Sequence, residues 1–425
     1  MITRAILVLV VLVSIAHALV HTYEVALPSV EQKIAEHYFP DDPVRGKAIN
    51  GWMASTWRIP LGFGALAAGW FVDRFGARRM LGVYLMGCGL MSLLVGLALP
   101  LPALFMAMFF MGSFACIYHP AGLSLISREV PVAHRGRAFG FHGVFGSAGV
   151  ASAPFVAGFV LSLCRWLEIP NGWQVVYLVL AVPGLLLGAV FFYLHLTHSR
   201  RQHAAAENET ATAGESDEED NDSASWPSFF VLTIIAALMG FIYSGVVSFL
   251  PRYLDQLPQD LERAGISLPG LPQESLRNYL AGGILLIGCI AQYWGGRIAR
   301  QRLLEIQFAL ICFAAAPCLV WMSLASGVTS VVATATFALI HFAHQPIYNC
   351  LIAKYTPQHR RSLAYGFSFA MGLGVGSLGA VFAGYQQSNM LIYQVLAGVG
   401  VTSGLIALVL WRMHRANPPA EPNAD

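Results

Sequence analysis

The chain has 425 residues, of which 56% are hydrophobic and 11% charged, with a mean hydropathy of +0.60. That balance excludes an ordinary soluble domain and a disordered chain, and a net charge of +2 is too small to point to nucleic acid. What remains is an all-α polytopic membrane protein, since a helix of about 20 apolar residues crosses a hydrocarbon core of about 30 Å.

Twelve such windows are predicted, at approximately 5–29, 50–72, 79–99, 102–126, 137–163, 173–195, 227–250, 276–298, 303–324, 329–353, 362–385 and 390–412. The first carries His17, His21 and Glu24 at i, i+4 and i+7, so all three share one helix face. Ionisable groups inside a span are costly and are functional candidates by default. Glu24 reads as the only carboxylate well inside a span. Ala16-His17-Ala18 is similar to a signal-peptidase site, but the apolar stretch continues past it and is read as a span. In the second span Arg58 is the only deep guanidinium, at roughly the depth of Glu24 on an antiparallel neighbour. Two readings of the pair stay open. Either Glu24 and the histidines exchange a coupling proton while Arg58 binds Glu24 or an anionic substrate in alternation, or the two form a permanent structural pair.

Between the second and third spans lies the charged turn Gly69-Trp70-Phe71-Val72-Asp73-Arg74-Phe75-Gly76-Ala77-Arg78-Arg79. The fourth span holds Tyr118-His119-Pro120, and the fifth holds His142 and Gly149-x-x-x-Ala153-Pro154-x-x-Ala157-Gly158. The tenth adds His341, His344, Gln345, Tyr348 and Asn349. His119 and Gln345 each precede a proline, and a broken backbone ladder is tolerated in a membrane where the helix lines protein or a cavity. Neutral histidine binds zinc, copper or iron, but no H-x3-H or Cys-His set with carboxylate support occurs outside the first helix. The positions scatter over several helices, so no metal site is expected. The seven cysteines lie mostly within spans without a paired pattern and read as small packing residues.

Residues 196–226 interrupt the apolar pattern with a charge run that includes Glu215-Ser216-Asp217-Glu218-Glu219-Asp220. This is a solvated acidic linker between a six-helix bundle at 1–195 and a second at 227–415, with a tail at 416–425. Shifting the chain by 226 positions aligns the fourth and fifth spans with the tenth and eleventh without a gap. Pro120 meets Pro346, Pro131 meets Pro357, Arg135 meets Arg361 and Gly146 meets Gly372. Such a repeat implies two pseudo-symmetric bundles with a substrate held between them near the midplane. With the first residue inside, seventeen of the 25 basic residues fall on the cytoplasmic side and seven outside, with Arg58 between. Both termini are therefore expected in the cytoplasm of a cell with an inner (plasma) membrane location.

The turn after the second span resembles the signature loop of major facilitator transporters, G-x-x-x-D-R-x-G-x-R-[RK], with Gly69, Asp73, Arg74, Gly76 and Arg78 in register. The resemblance implies the twelve-helix facilitator fold, alternating access, and a gating role for those residues. The fifth-span motif is similar to the antiporter motif G-x-x-x-G-P-x-x-G-G, with Pro154 retained and alanine at two glycine places, which implies export. The arginine usual in the fourth span of proton-linked exporters is replaced by Met108, so coupling falls to Glu24 and the histidines. A weaker likeness, resting on His17, Leu27-Pro28 and Tyr118-His119-Pro120, is to the fosmidomycin-resistance branch. It implies proton-exchanged export of small anionic or amphiphilic compounds. No phosphate loop, nucleophile constellation or nucleotide motif occurs, so neither enzymatic activity nor a cofactor is expected and the energy source is a gradient. The expected partners are a small solute, a proton and membrane lipid, with the chain a monomer. The alternative is an importer of a metal, metal chelate or organic anion that uses the imidazoles and Arg58.

Overall fold

The computed structural model describes residues 3–97, 99–206, 225–263, 271–300, 302–357 and 360–416. Most of the acidic linker and of the tail lies outside the described residues. Among those described the protein is helical, because a chain in lipid must satisfy every backbone polar group within its own segment.

The first half comprises α1 (Arg4–Tyr38), α2 (Pro43–Phe75), α3 (Ala77–Gly96), α4 (Leu101–Ala115), α5 (Tyr118–Glu129), α6 (Val132–Trp166) and α7 (Gly172–Ala206). The second comprises α8 (Trp226–Val247), the short α9 (Leu250–Leu254) and α10 (Gln256–Arg263), α11 (Gln273–Ile298), α12 (Leu304–Leu324) and α13 (Gly327–Tyr355). It continues with α14 (Arg361–Phe369), a π turn at Ala370–Gly374, a 3-10 turn at Val375–Ser377, α15 (Leu378–Tyr385) and α16 (Asn389–Ala416). Local chemistry marks several starts. Thr3 accepts a hydrogen bond from the Ile6 amide to cap α1, and Asp42 does the same for Arg45 ahead of α2, where Pro43 occupies the first turn.

The fourth predicted span is two helices, α4 and α5, joined by a turn at Cys116 and Ile117, and the eleventh is interrupted by the π and 3-10 turns. Eleven helical segments are long and apolar enough to cross a membrane among the described residues. The remaining predicted span, the second, is α2, which packs among them but is less apolar. It is built of small and polar residues such as Gly46, Gly51, Ser55 and Gly62 together with buried Lys47 and Arg58.

Each half has its own hydrophobic core. The halves meet where glycines let backbones touch. A Cβ on Gly51 would lie 2.5 Å from the Ala380 carbonyl, and one on Gly62 would lie 2.5 Å from the Gly374 nitrogen. We call the end holding the α2–α3 turn the loop end and the opposite one the far end. Among the described residues the cross-half ion pairs lie at the far end. Arg252 grips Glu31 with two bonds of 2.7 Å, and Lys33 meets Glu274 at 2.9 Å. Ser162 donates to Ser275 at 2.7 Å and Lys47 to the Gln386 carbonyl at 2.6 Å at the same end.

Candidate functional site

The helix predicted over 5–29 runs on to Tyr38, so Glu31 is buried as well, and Glu24 is not the only carboxylate inside the bundle. Glu31 is held by Arg252 and by the Asn50 side chain. Glu305, at the start of α12, is also buried, where it accepts from Lys354 at 2.7 Å and Tyr355 at 2.5 Å. Glu31 lies beyond the predicted 5–29 window, whereas Glu305 falls within the predicted 303–324 window but in the first turn of its helix.

At mid-height, α1 presents its histidine face toward α5 and α6. His17 Nδ1 lies 2.9 Å from the His142 carbonyl, and the His17 ring stacks on His142 with centroids 4.2 Å apart and on Tyr118 at 5.1 Å. Gly146 makes this possible, because a Cβ there would lie 2.4 Å from the His17 ring. The turn between α4 and α5 swings His119 to the same place, with ring centroids 5.5 Å from His17 and 5.7 Å from His21. One nitrogen from each of His17, His21 and His119 lies within 4.8 Å of those of the other two, so the scatter in sequence is not a scatter in space. His119 in turn stacks at 5.0 Å on Phe369, which precedes the π turn of the opposite half.

Glu24 joins this cluster to Arg58. Its Oε2 meets His21 Nδ1 at 2.9 Å and its Oε1 accepts from Arg58 Nε at 3.4 Å, with both Glu24 and Arg58 buried. Arg58 crosses to the second half by donating to Ser248 Oγ at 2.8 Å, and its guanidinium lies 5.8 Å from the Tyr243 ring centre. Its remaining nitrogen, Nη2, is buried with no hydrogen-bond partner among the described residues. Beyond Tyr243 stands His341, stacked at 6.3 Å and buried, with His344 at 4.8 Å from it. A polar line thus runs from α1 through Arg58 to α13. Gln345 and Asn349 are exposed, and Tyr348 packs on Phe308 with ring centroids 6.0 Å apart. Gln345 accepts from Gln292, which itself accepts from Ser147 of the first half at 2.6 Å.

At the loop end, Asp73 accepts from Arg128 at 3.1 Å and Arg78 donates to Glu129 at 2.6 Å, both within the first half. Gly76 adopts φ +85°, in the region that favours glycine, so its place in the motif has a backbone reason. Arg74 is exposed, and a Cβ on Gly69 would meet nothing within 4 Å. Pro154 lies inside α6. Around it, Gly149 faces the Ala18 carbonyl of α1, and Gly158 faces Tyr279 of the second half. A far-end cleft of about 530 Å³, lined by Lys33, Glu36, His37 and Glu274 among others, lies away from the buried Glu24 and Arg58 pair.

A puromycin resistance protein of Streptomyces alboniger is 31% identical over 143 residues, which is 33% of this chain and 27% of that protein. A probable L-galactonate transporter of Escherichia coli strain K12 is 25% identical over 303 residues, 69% of this chain and 65% of the relative. A multidrug resistance protein B homolog of Mycobacterium tuberculosis is 26% identical over 178 residues, 41% of this chain and 31% of the relative. The chain thus spans less than two thirds of each of these relatives. In fold it is similar to a bacterial homolog of the human lysosomal transporter Spinster in an inward-facing, occupied conformation (TM-score 0.69, 13% identity), with 95% of this chain and 96% of the other covered. It is also similar to the inward-open xylose transporter XylE of E. coli (TM-score 0.68, 14% identity), with 98% of each chain covered. A profile of the Major Facilitator Superfamily matches residues 26–381, and the chain, a multi-pass membrane protein, belongs to that superfamily.

Proposed function

We propose that the protein exports a small organic solute, anionic or amphiphilic, in exchange for protons by alternating access. The observation that carries this reading is the buried Glu24. One oxygen faces His21 and the other faces Arg58, whose guanidinium reaches into the opposite half and keeps one donor free. A proton taken by Glu24 or His21 would loosen Arg58, and the freed guanidinium would then take an anionic group of the solute. Buried charge is retained in a membrane where it serves such a pathway. The puromycin and multidrug resistance relatives support the outward direction.

The positive-inside distribution supports a cytoplasmic loop end and cytoplasmic termini, with the chain in the plasma membrane. The far-end ion pairs then seal the outer side, an inward-facing arrangement. Tyr118, His142, His341, His344, Gln345, Tyr348 and Asn349 supply the rest of the polar path on this reading, while Asp73, Arg74, Arg78 and Pro154 govern the change of state. The 303-residue match to a probable L-galactonate transporter supports a second reading, uptake of an organic anion at the same Arg58.

The test is flux in oriented proteoliposomes under an imposed proton gradient, across a panel of toxic organics and organic acids. Glu24→Gln should abolish gradient-driven accumulation while solute-for-solute exchange persists. If accumulation survives in that variant, Glu24 is not the coupling group. Uptake into the compartment facing the loop end would support the second reading.

A further inference from the structure

We infer that His17, His21 and His119 form a three-imidazole site for a borderline divalent transition cation of the Zn2+ or Co2+ class, with the His142 carbonyl and the Glu24 carboxylate as its outer shell. One nitrogen from each of the three rings lies within 4.8 Å of those of the other two. A tetrahedral ion about 2.1 Å from each nitrogen needs them about 3.4 Å apart, so small ring rotations of half-buried side chains complete the set. The outer contacts of two of the rings, His17 and His21, distinguish this group from His341 and His344. His17 Nδ1 stands 2.9 Å from the His142 carbonyl, and His21 Nδ1 stands 2.9 Å from Glu24 Oε2. Both acceptors demand a proton on Nδ1, which leaves the Nε2 lone pair of each ring as the free donor. Metal-binding imidazoles are oriented by such a carbonyl or carboxylate behind the ring.

Neighbouring charges are compatible with a cation. Arg58 lies behind Glu24 and is balanced by it, so the pair adds little net charge. His142 is not counted as a ligand, because its ring nitrogens face the Tyr118 hydroxyl at 3.3 and 3.4 Å. Three protein ligands leave one coordination position for water or an exogenous donor. The third ligand also leans on the other half through Phe369, so the site is complete only while that contact positions His119. His341 and His344 form no equivalent. One nitrogen of His341 is buried without a partner, and His344 Nδ1 contacts the His341 carbonyl with no carboxylate behind either ring.

The site shares His21 and Glu24 with the transport reading, and its binding is tested without flux so that the two can fail separately. The full chain, purified in detergent with a tag free of histidine, is titrated with CoCl2 and followed by the visible ligand-field bands of tetrahedral Co2+, then challenged with ZnCl2. One Co2+ per chain, displaced by Zn2+, is expected. Glu24→Gln should weaken binding by roughly 10- to 100-fold through the loss of its support to His21. His119→Ala should remove the tetrahedral bands, and His341→Ala should leave them intact. A monodisperse wild-type chain without those bands overturns the inference whatever the variants do. So does a folded His119→Ala chain that binds as the wild type does. Movement of radioactive Zn2+ across proteoliposomes separates a cargo ion from a resident one once binding is established.

Discussion

Glu24 contacts His21 and Arg58 at the same time, and Arg58 has almost no exposure, at 1%. Removing the cation from such a pair leaves a buried carboxylate without its positive partner. Arg58→Met should therefore lower stability by about 3–5 kcal/mol, and the double variant with Glu24→Gln should lose less than that. Thermal unfolding in detergent checks both, and losses that simply add would show that the two groups are uncoupled. Asp73 presents the opposite case. Its side chain is 72% exposed beside Arg128, so the pair contributes at most about 1 kcal/mol. Asp73→Asn should insert and melt as the wild type does but turn over more slowly. Unchanged turnover would mean that the loop resemblance is not a functional one.

Helix crossings in this bundle depend on positions without a side chain. Gly112 of α4 lies so near α2 that a Cβ would stand 2.0 Å from the Trp57 carbonyl, one residue before Arg58. Gly112→Ala has to push the two helices apart and should cost about 1–3 kcal/mol, measured as a lowered midpoint of thermal unfolding. Gly69 on the same α2 helix has open space around it. Its replacement by alanine should alter stability by no more than about 0.5 kcal/mol. A loss of transport in Gly69→Ala would then assign it to a contact made only in another state of the cycle. The π turn at Ala370–Gly374 follows the same logic, since a Cβ on Gly240 of α8 would fall 1.9 Å from the Gly372 carbonyl. Irregular backbone is accommodated there because it is packed against protein.

For the whole molecule, the far end is closed by Glu31 with Arg252, Lys33 with Glu274, and Ser162 with Ser275, while the ion pairs of the loop end stay within a half. If the halves rock as proposed, these far-end contacts must break. Ser162 and Ser275, with oxygens 2.7 Å apart, are placed for a disulfide. In a Cys164→Ala background, Ser162→Cys with Ser275→Cys should lose transport on oxidation and regain it on reduction, read as flux in proteoliposomes. Full flux through a quantitatively cross-linked chain would rule out opening at that end.

The helical class, the approximate spans and the relation of the halves were legible in the amino-acid order. Apolar length is a local property, and the repeat retains matched prolines, arginines and glycines. The signature turn was legible for the same reason, with Gly76 carrying the φ that its place requires. The grouping of the site was not. Helices apolar on all sides give no amphipathic signal for the inward face, so nothing along the chain told that His119 would join His17 and His21 while Gln345, its repeat partner, would be exposed. Nor did it tell that Glu31 would be buried against Arg252, 221 positions away. Those outcomes depend on the rotation and height at which each helix packs against its neighbours, which close glycine crossings and the turn at Cys116 and Ile117 settle only when the bundle is assembled.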